Sequence, residues 1–392
     1  MYFFPYFVGG FDYIDIDGRK FRFIYHEEAG YAVALAFISI VAAIFIFRPV
    51  RQEFGGTTHS NMDESLILIL MIIVFGSITI LTPGIFSSSK VDVLESTGRI
   101  QYVFYNCCII GFVFGMLAGW TKHKLLILLS SAGLILTLYI GHRSALAISI
   151  LSFAYIRYRN KSLLGVRKRY LIGSVLAFAF LAVYKSVYSA MKSGNYDLVN
   201  QRIQFDQLST SALVGLEQFV TFSHLDFVVT YDYTLPCSNL WLVAFSFIPF
   251  SDSVFGSASC GFNEQVQPIF FPGYRGGVAA NIWAEFYANF GYAGLPLLVV
   301  LLSLICLGIE AIIRNVQSAA LKAGLIVSII HLTFYIQRKE LLGAFVSAKR
   351  AIFVALFIFG IVYIHRKCFP RVRVPATRSL GAGTTQRYMA EE

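Results

Sequence analysis

Uncharged apolar runs, several of them about 17 to 22 residues long, alternate along this chain with short connections rich in Lys and Arg. As a helix, a run of that length crosses the roughly 30 Å of a bilayer's hydrocarbon. The pattern predicts nine spans, approximately Gly30 to Phe47, Ser65 to Leu81, Tyr102 to Trp120, Leu125 to Ile140, Ser144 to Ile156, Tyr170 to Tyr188, Gly291 to Ile313, Lys322 to Ile336 and Ala351 to Ile364. The evenly alternating short strands of a membrane barrel do not recur. The expected fold class is all-α, a polytopic helical membrane protein with about 9–11 transmembrane helices.

Three stretches fall outside this rhythm. Residues 1–29 are apolar but too short to span at FFPYFVGG, then charged and irregular. They read either as an external tail or, over Tyr2 to Val8, as the end of a span that begins upstream. Residues 189–278 are polar and aromatic with no clear span, and form a large external loop in which NLWLVAFSFIPF packs on the bundle or dips into the interface. Residues 366–392 are basic, then Gly/Thr-rich, and read as a disordered tail. The remainder, 1–365, is one integral-membrane helical domain.

Composition agrees with the pattern: 57% of the residues are hydrophobic and only 14% charged, where a soluble domain is nearer a quarter charged. A net charge of +10 suggests nucleic acid, but the cations sit in short loops between spans, so no nucleic-acid partner is expected. The clusters after the first, third, fifth, seventh and ninth spans fall on one face, which the positive-inside rule makes cytoplasmic together with the C-terminus. One connection departs from the rule. Gln337-Arg338-Lys339-Glu340 and Lys349-Arg350 fall on the external face, and reversing the topology to accommodate them misplaces five clusters. Those charges are therefore expected to have work to do.

Cys237 and Cys260 share the external loop, where an oxidising compartment permits a disulfide that spacing alone does not establish. No spacing suggests a metal site, and no cofactor is expected.

The candidate chemistry gathers on the external face. Arg143, in GHRSAL between two spans, either snorkels to headgroups or presents a guanidinium fork to phosphate oxygens. Arg275 follows Tyr274 in a Gly-rich turn, and Arg338 and Lys339 follow the eighth span. In PIFFPGYRGGVAANIWAEFYANFGYAGLP, residues Asn281, Glu285 and Asn289 line one helical stripe amid Trp283, Phe286, Tyr287 and Phe290, until Gly291 and Gly294 break the run. Glu285 is either a structural ion-pair partner or a base or hydroxyl acceptor. His224, in TFSHLDFVV, is either a core residue or a reserve base. The loop's rings suit either interfacial anchoring or stacking on sugars.

The stretch GYRGGVAANIWAEFYANFGYAGLP resembles the end of the external loop in Wzy-type polymerases of bacterial O-antigen repeat units, through Gly276, Gly277, Glu285, Tyr287, Asn289, Phe290, Gly291 and Gly294. LYIGHRSALAISIL resembles that family's Gly-x-Arg-Ser/Thr segment, through Gly141, Arg143 and Ser144, and Arg338 resembles its late external arginine. The resemblance implies a GT-C-like bundle in the bacterial inner membrane with a periplasmic active face. It implies a metal-independent glycosyltransferase that polymerises undecaprenyl-pyrophosphate-linked oligosaccharides, with a chain-length regulator as an allowed partner. It implies Arg143, Arg275 and Arg338 as pyrophosphate ligands, Glu285 as acceptor-orienting group or base and His224 as reserve base. Asn281, Tyr287, Asn289, Tyr274 and Lys339 would then bind substrate. An O-antigen ligase shares this architecture and chemistry and differs in its acceptor. A lipid or polysaccharide transporter is a remoter reading, since charged groups are scarce within the spans.

Overall fold

The computed structural model describes residues 11–14, 20–23, 25–47, 62–85, 98–158, 218–245, 260–336 without 271–278, and 338–368, together with Ile248 and seven residues between 172 and 188. A short antiparallel hairpin opens the chain, β1 (Phe11–Ile14) against β2 (Lys20–Phe23), with Phe11 opposite Phe23 and Ile14 opposite Lys20. This hairpin replaces the irregular tail expected there. The upstream-span reading of Tyr2 to Val8 lies outside the described residues.

The rest is helical. Helices α1 (Glu27–Ile46), α2 (Met62–Leu81), α3 (Arg99–Ala118), α4 (Lys124–Ile140) and α5 (Arg143–Tyr158) follow the first five apolar runs closely. Within the long polar region lie α6 (Gln218–Thr230), α7 (Leu242–Phe245) and α8 (Phe262–Phe270). Then come α9 (Ile282–Phe290), a 3-10 turn at Gly291–Ala293, and α10 (Gly294–Asn315), α11 (Ala319–Tyr335) and α12 (Leu341–Cys368). Five helical stretches among the described residues are long and apolar enough to cross a membrane, and α4 and α11 are shorter apolar helices. The chain is thus a helical membrane protein.

Packing radiates from α3, which touches α2, α4, α5, α11 and α12. Its Phe104, Cys107, Cys108, Ile109, Ile110 and Phe114 are buried. A second group joins α1 to α6 and α10, and α9 to α6 and α10. The outward faces carry Phe37 and Ile44 of α1, Leu66 and Leu70 of α2, Leu128 and Ile135 of α4, and Phe357 and Ile361 of α12, all exposed. Apolar surface on that scale is the mark of a lipid-facing wall. Polar side chains inside the bundle return to backbone carbonyls. Ser328 Oγ donates to Gly324 O at 2.8 Å and approaches Ala348 O of the neighbouring helix at 3.0 Å.

The two ends of the bundle differ. At one, Arg366 meets Asp63 at 3.3 Å, His123 meets Ser65 at 3.1 Å, and Arg314 lies 3.6 Å from Glu310. The other end is covered by α6 to α9. There α12 departs from expectation: it begins ten residues before the apolar run at Ala351, so Lys349 and Arg350 stand on a helix and not in a loop. Buried Ala344, Phe345, Ser347 and Ala348 explain the early start, because they give those first turns a packed face.

Candidate functional site

Helix termini leave backbone N–H groups without partners inside their own helix. In this protein several are satisfied by carboxylates from distant elements. Glu64 Oε2 accepts from Ala320 N at 3.1 Å at the start of α11. Glu285 Oε2 accepts from Leu341 N at 2.7 Å at the start of α12. Glu340 accepts from the backbone of Phe262 and Asn263 at the start of α8. Asp226 accepts from His26 N at 2.7 Å and from His26 Nδ1 at 2.9 Å, just before α1. Each places a carboxyl oxygen as acceptor at the N-terminal end of a helix, where the dipole favours it.

The i, i+4, i+8 spacing of Asn281, Glu285 and Asn289 acquires a structural meaning here. Asn281 caps α9: its side-chain oxygen accepts from Trp283 N at 2.9 Å and Ala284 N at 3.3 Å, while its Nδ2 donates to Thr221 O of α6 at 2.6 Å. Asn289 Nδ2 donates to Glu285 O at 2.7 Å. Glu285 itself is 1% exposed. Tyr287 is buried edge-on against Tyr292, with centroids 5.1 Å apart, and bonds to Tyr292 and Asp232. This stripe ties α9 to α6 and α12.

His224 and Asp226 fall on α6, and both are buried. His224 meets Phe262 edge-on at 6.0 Å, and burial pushes its pKa down to about 4, so it is neutral at neutral pH. Burial raises the pKa of Asp226, and the bonds from His26 offset part of that rise. Burial likewise raises Glu340, opposed by its bonds to the Phe262 and Asn263 backbone. Tyr274 and Arg275 lie outside the described residues.

Three cations of this end, Arg338, Lys339 and Arg350, stand over aromatic rings. Gly141 ends α4 at φ 106°, a left-handed cap that glycine adopts readily, and the chain turns directly into Arg143. Arg143 Nη1 donates to Leu181 O at 3.2 Å. Its neighbour His142 stacks on Tyr105 at 6.0 Å and lies 6.4 Å from Tyr102. Arg338 stands over Phe334 at 5.3 Å. Lys339 Nζ stands over Tyr335 at 4.2 Å and donates to Ser347 Oγ at 2.7 Å. Arg350 stands over Tyr102 at 4.2 Å. These are cation–π distances.

Tyr102, Tyr105, His142, His331 and Tyr335 belong to no motif, whereas Arg350 belongs to the connection that breaks the positive-inside rule. A signal was present: Tyr102 and Tyr105 are spaced i, i+3 where the third span begins, and His331 and Tyr335 are spaced i, i+4 where the eighth ends. Among the described residues no group of His, Cys, Asp and Glu is arranged to hold a metal ion.

The same end carries a disulfide, Cys237–Cys260, with Cα atoms 5.4 Å apart. It joins the segment after α6 to the start of α8, where Gln265 Nε2 also donates to Cys237 O at 3.0 Å. Closing a loop of this length stabilises by roughly 3 kcal/mol on the chain-entropy account. In denaturant without reductant, a polyethylene-glycol maleimide is expected to add to Cys107, Cys108, Cys306 and Cys368 only. Six additions before reduction would rule out the bridge.

Comparison with models of protein families, with curated proteins and with solved structures finds no match to this chain.

Proposed function

We propose that this protein polymerises oligosaccharide repeat units carried on undecaprenyl pyrophosphate into O-antigen or a related surface polysaccharide, at the periplasmic face of a bacterial inner membrane. The observation that carries the reading is the gathering of Arg143, Arg338, Lys339 and Arg350 at the end of a membrane bundle that also bears the Cys237–Cys260 disulfide. Disulfides persist in oxidising compartments, which favours the outer face for this end. Cations at a membrane surface suit a substrate whose polar head is a pyrophosphate and whose tail is a lipid.

In the proposed reaction the acceptor sugar's hydroxyl oxygen bonds to the donor's anomeric carbon. The bond from that carbon to the pyrophosphate oxygen breaks, and the hydroxyl proton leaves to a base or to water. Negative charge grows on the departing pyrophosphate, where guanidinium groups stabilise it more in the transition state than in the ground state. Glu285 acts here as a positioning residue: it holds the amide of Leu341 and so the first turns of α12, which carry Ser347 and Arg350.

Depleting the protein and sizing the surface glycan tests the reading. Single repeat units capped on lipid A support a polymerase. Lost capping with long free polymer indicates a ligase, and unchanged glycan removes both. Arg143→Lys keeps the charge but loses the bidentate fork, and is expected to shorten the polymer. Full-length polymer from that variant would defeat the guanidinium role.

A further inference from the structure

Arg350 differs from the other cations at this end. Arg143 and Lys339 each make a hydrogen bond to the protein. Arg350 is half-buried, lies over the ring of Tyr102 at 4.2 Å, and makes no hydrogen bond or ion pair among the described residues. A guanidinium carries five N–H donors, and beside hydrocarbon an uncompensated one is costly. His331 repeats the anomaly. It is fully buried and stacked on Tyr335 with centroids 5.6 Å apart, and neither ring nitrogen has a hydrogen-bond partner among the described residues. His331 lies within electrostatic reach of both Lys339 and Arg350, and Tyr105 within reach of Tyr335 and Arg350. Two cations and an unsatisfied imidazole thus share one aromatic-walled corner between α3, α11 and α12.

We propose that this corner is an anion site for phosphate or pyrophosphate oxygens, with Arg350 as its principal ligand and Lys339 as its second cation. Contact with the Tyr102 ring holds the guanidinium in place without using its N–H donors, and two of those donors suit two oxygens of one phosphate. Lys339, fixed between Tyr335 and Ser347, supplies a point charge beside it. Depth favours the same ligand. Arg350 directly precedes the apolar run that begins at Ala351, so the site lies at the lip of the hydrocarbon. The phosphates of a lipid-linked donor come to rest at that level. That the anion is lipid-linked rests on the function proposed above, whereas the site itself does not.

The test uses the purified full chain in detergent and follows thermal unfolding, since a ligand that binds the folded state raises the transition. The probes are inorganic pyrophosphate, undecaprenyl pyrophosphate and undecaprenol. Both phosphorylated probes are expected to raise the transition of the wild type, and undecaprenol is not. Arg350→Ala is expected to weaken pyrophosphate binding by roughly tenfold or more. Arg350→Lys should weaken it less, and Arg366→Ala, at the opposite end of the bundle, little. Response to the lipid alone would assign the site to a lipid-borne phosphate, and response to both to the phosphate group itself. If Arg350→Ala unfolds without ligand, Arg350→Lys and Tyr102→Leu carry the comparison. Equal binding by these variants and the wild type, or no shift of the wild type with either phosphate probe, overturns the proposal. Arg350-dependent binding with unchanged surface glycan on depletion would leave the site standing and remove only the polymerase.

Discussion

Glu285→Ala is expected to lower the unfolding temperature of the purified protein sharply, while Glu285→Gln retains most of the folded yield. The carboxylate is buried and accepts from Leu341 N at 2.7 Å. Alanine leaves that amide buried without an acceptor, at a cost of about 2 to 3 kcal/mol. Glutamine keeps an oxygen for it and replaces only the second carboxyl oxygen, at a cost of about 1 kcal/mol. The pair also separates structure from chemistry. A Glu285→Gln protein that folds and still makes polymer confirms a positioning role. One that folds normally but makes none would show that the carboxyl group itself takes part in the reaction. An unchanged unfolding temperature for Glu285→Ala would dismiss the cap.

The second large effect is expected at Gly294. Its φ of −61° is ordinary, so backbone freedom is not what requires glycine there. Close approach is. A Cβ would lie 2.7 Å from the carbonyl carbon of Phe286 and closer still to its oxygen. Backbone cannot yield as a flexible side chain does, so Gly294→Ala must separate α9 from α10 and is expected to abolish folded yield. Gly308, in the same helix, has nothing within 4 Å of an added Cβ. Gly308→Ala is expected to be neutral or stabilising by about 1 kcal/mol, the ordinary helix preference. Size-exclusion profiles of the two variants make the comparison, and a well-folded Gly294→Ala would refute the close packing.

The apolar runs located the helices because hydrocarbon length is a one-dimensional requirement, readable residue by residue. The break at Gly291 and Gly294 was readable for the same local reason. The carboxylates were not. Glu285 looked chemical because nothing within its own helix called for it, and its partner amide is 56 positions away. Asn281 reads in the sequence as a sugar ligand; its cap on Trp283 and Ala284 is local, and only its bond to Thr221 O needs α6 alongside. Arg350 was seen as loop charge because hydropathy marks where hydrocarbon starts and not where a helix starts. The ten residues before Ala351 are helical through packing that only the folded chain supplies.

Glu64 has a consequence for how the chain is made. Its buried carboxylate bonds to Ala320, which is synthesised 256 residues later. At about 5 to 20 residues per second, the ribosome reaches that partner roughly 13 to 50 s after Glu64. Through that interval α2 is already made while its acidic end has no cap to fill. A buried acceptor lacks its donor until then, so this contact of α2 forms only after α11 has been made. The last third of the chain thus completes the packing of the acidic end of α2.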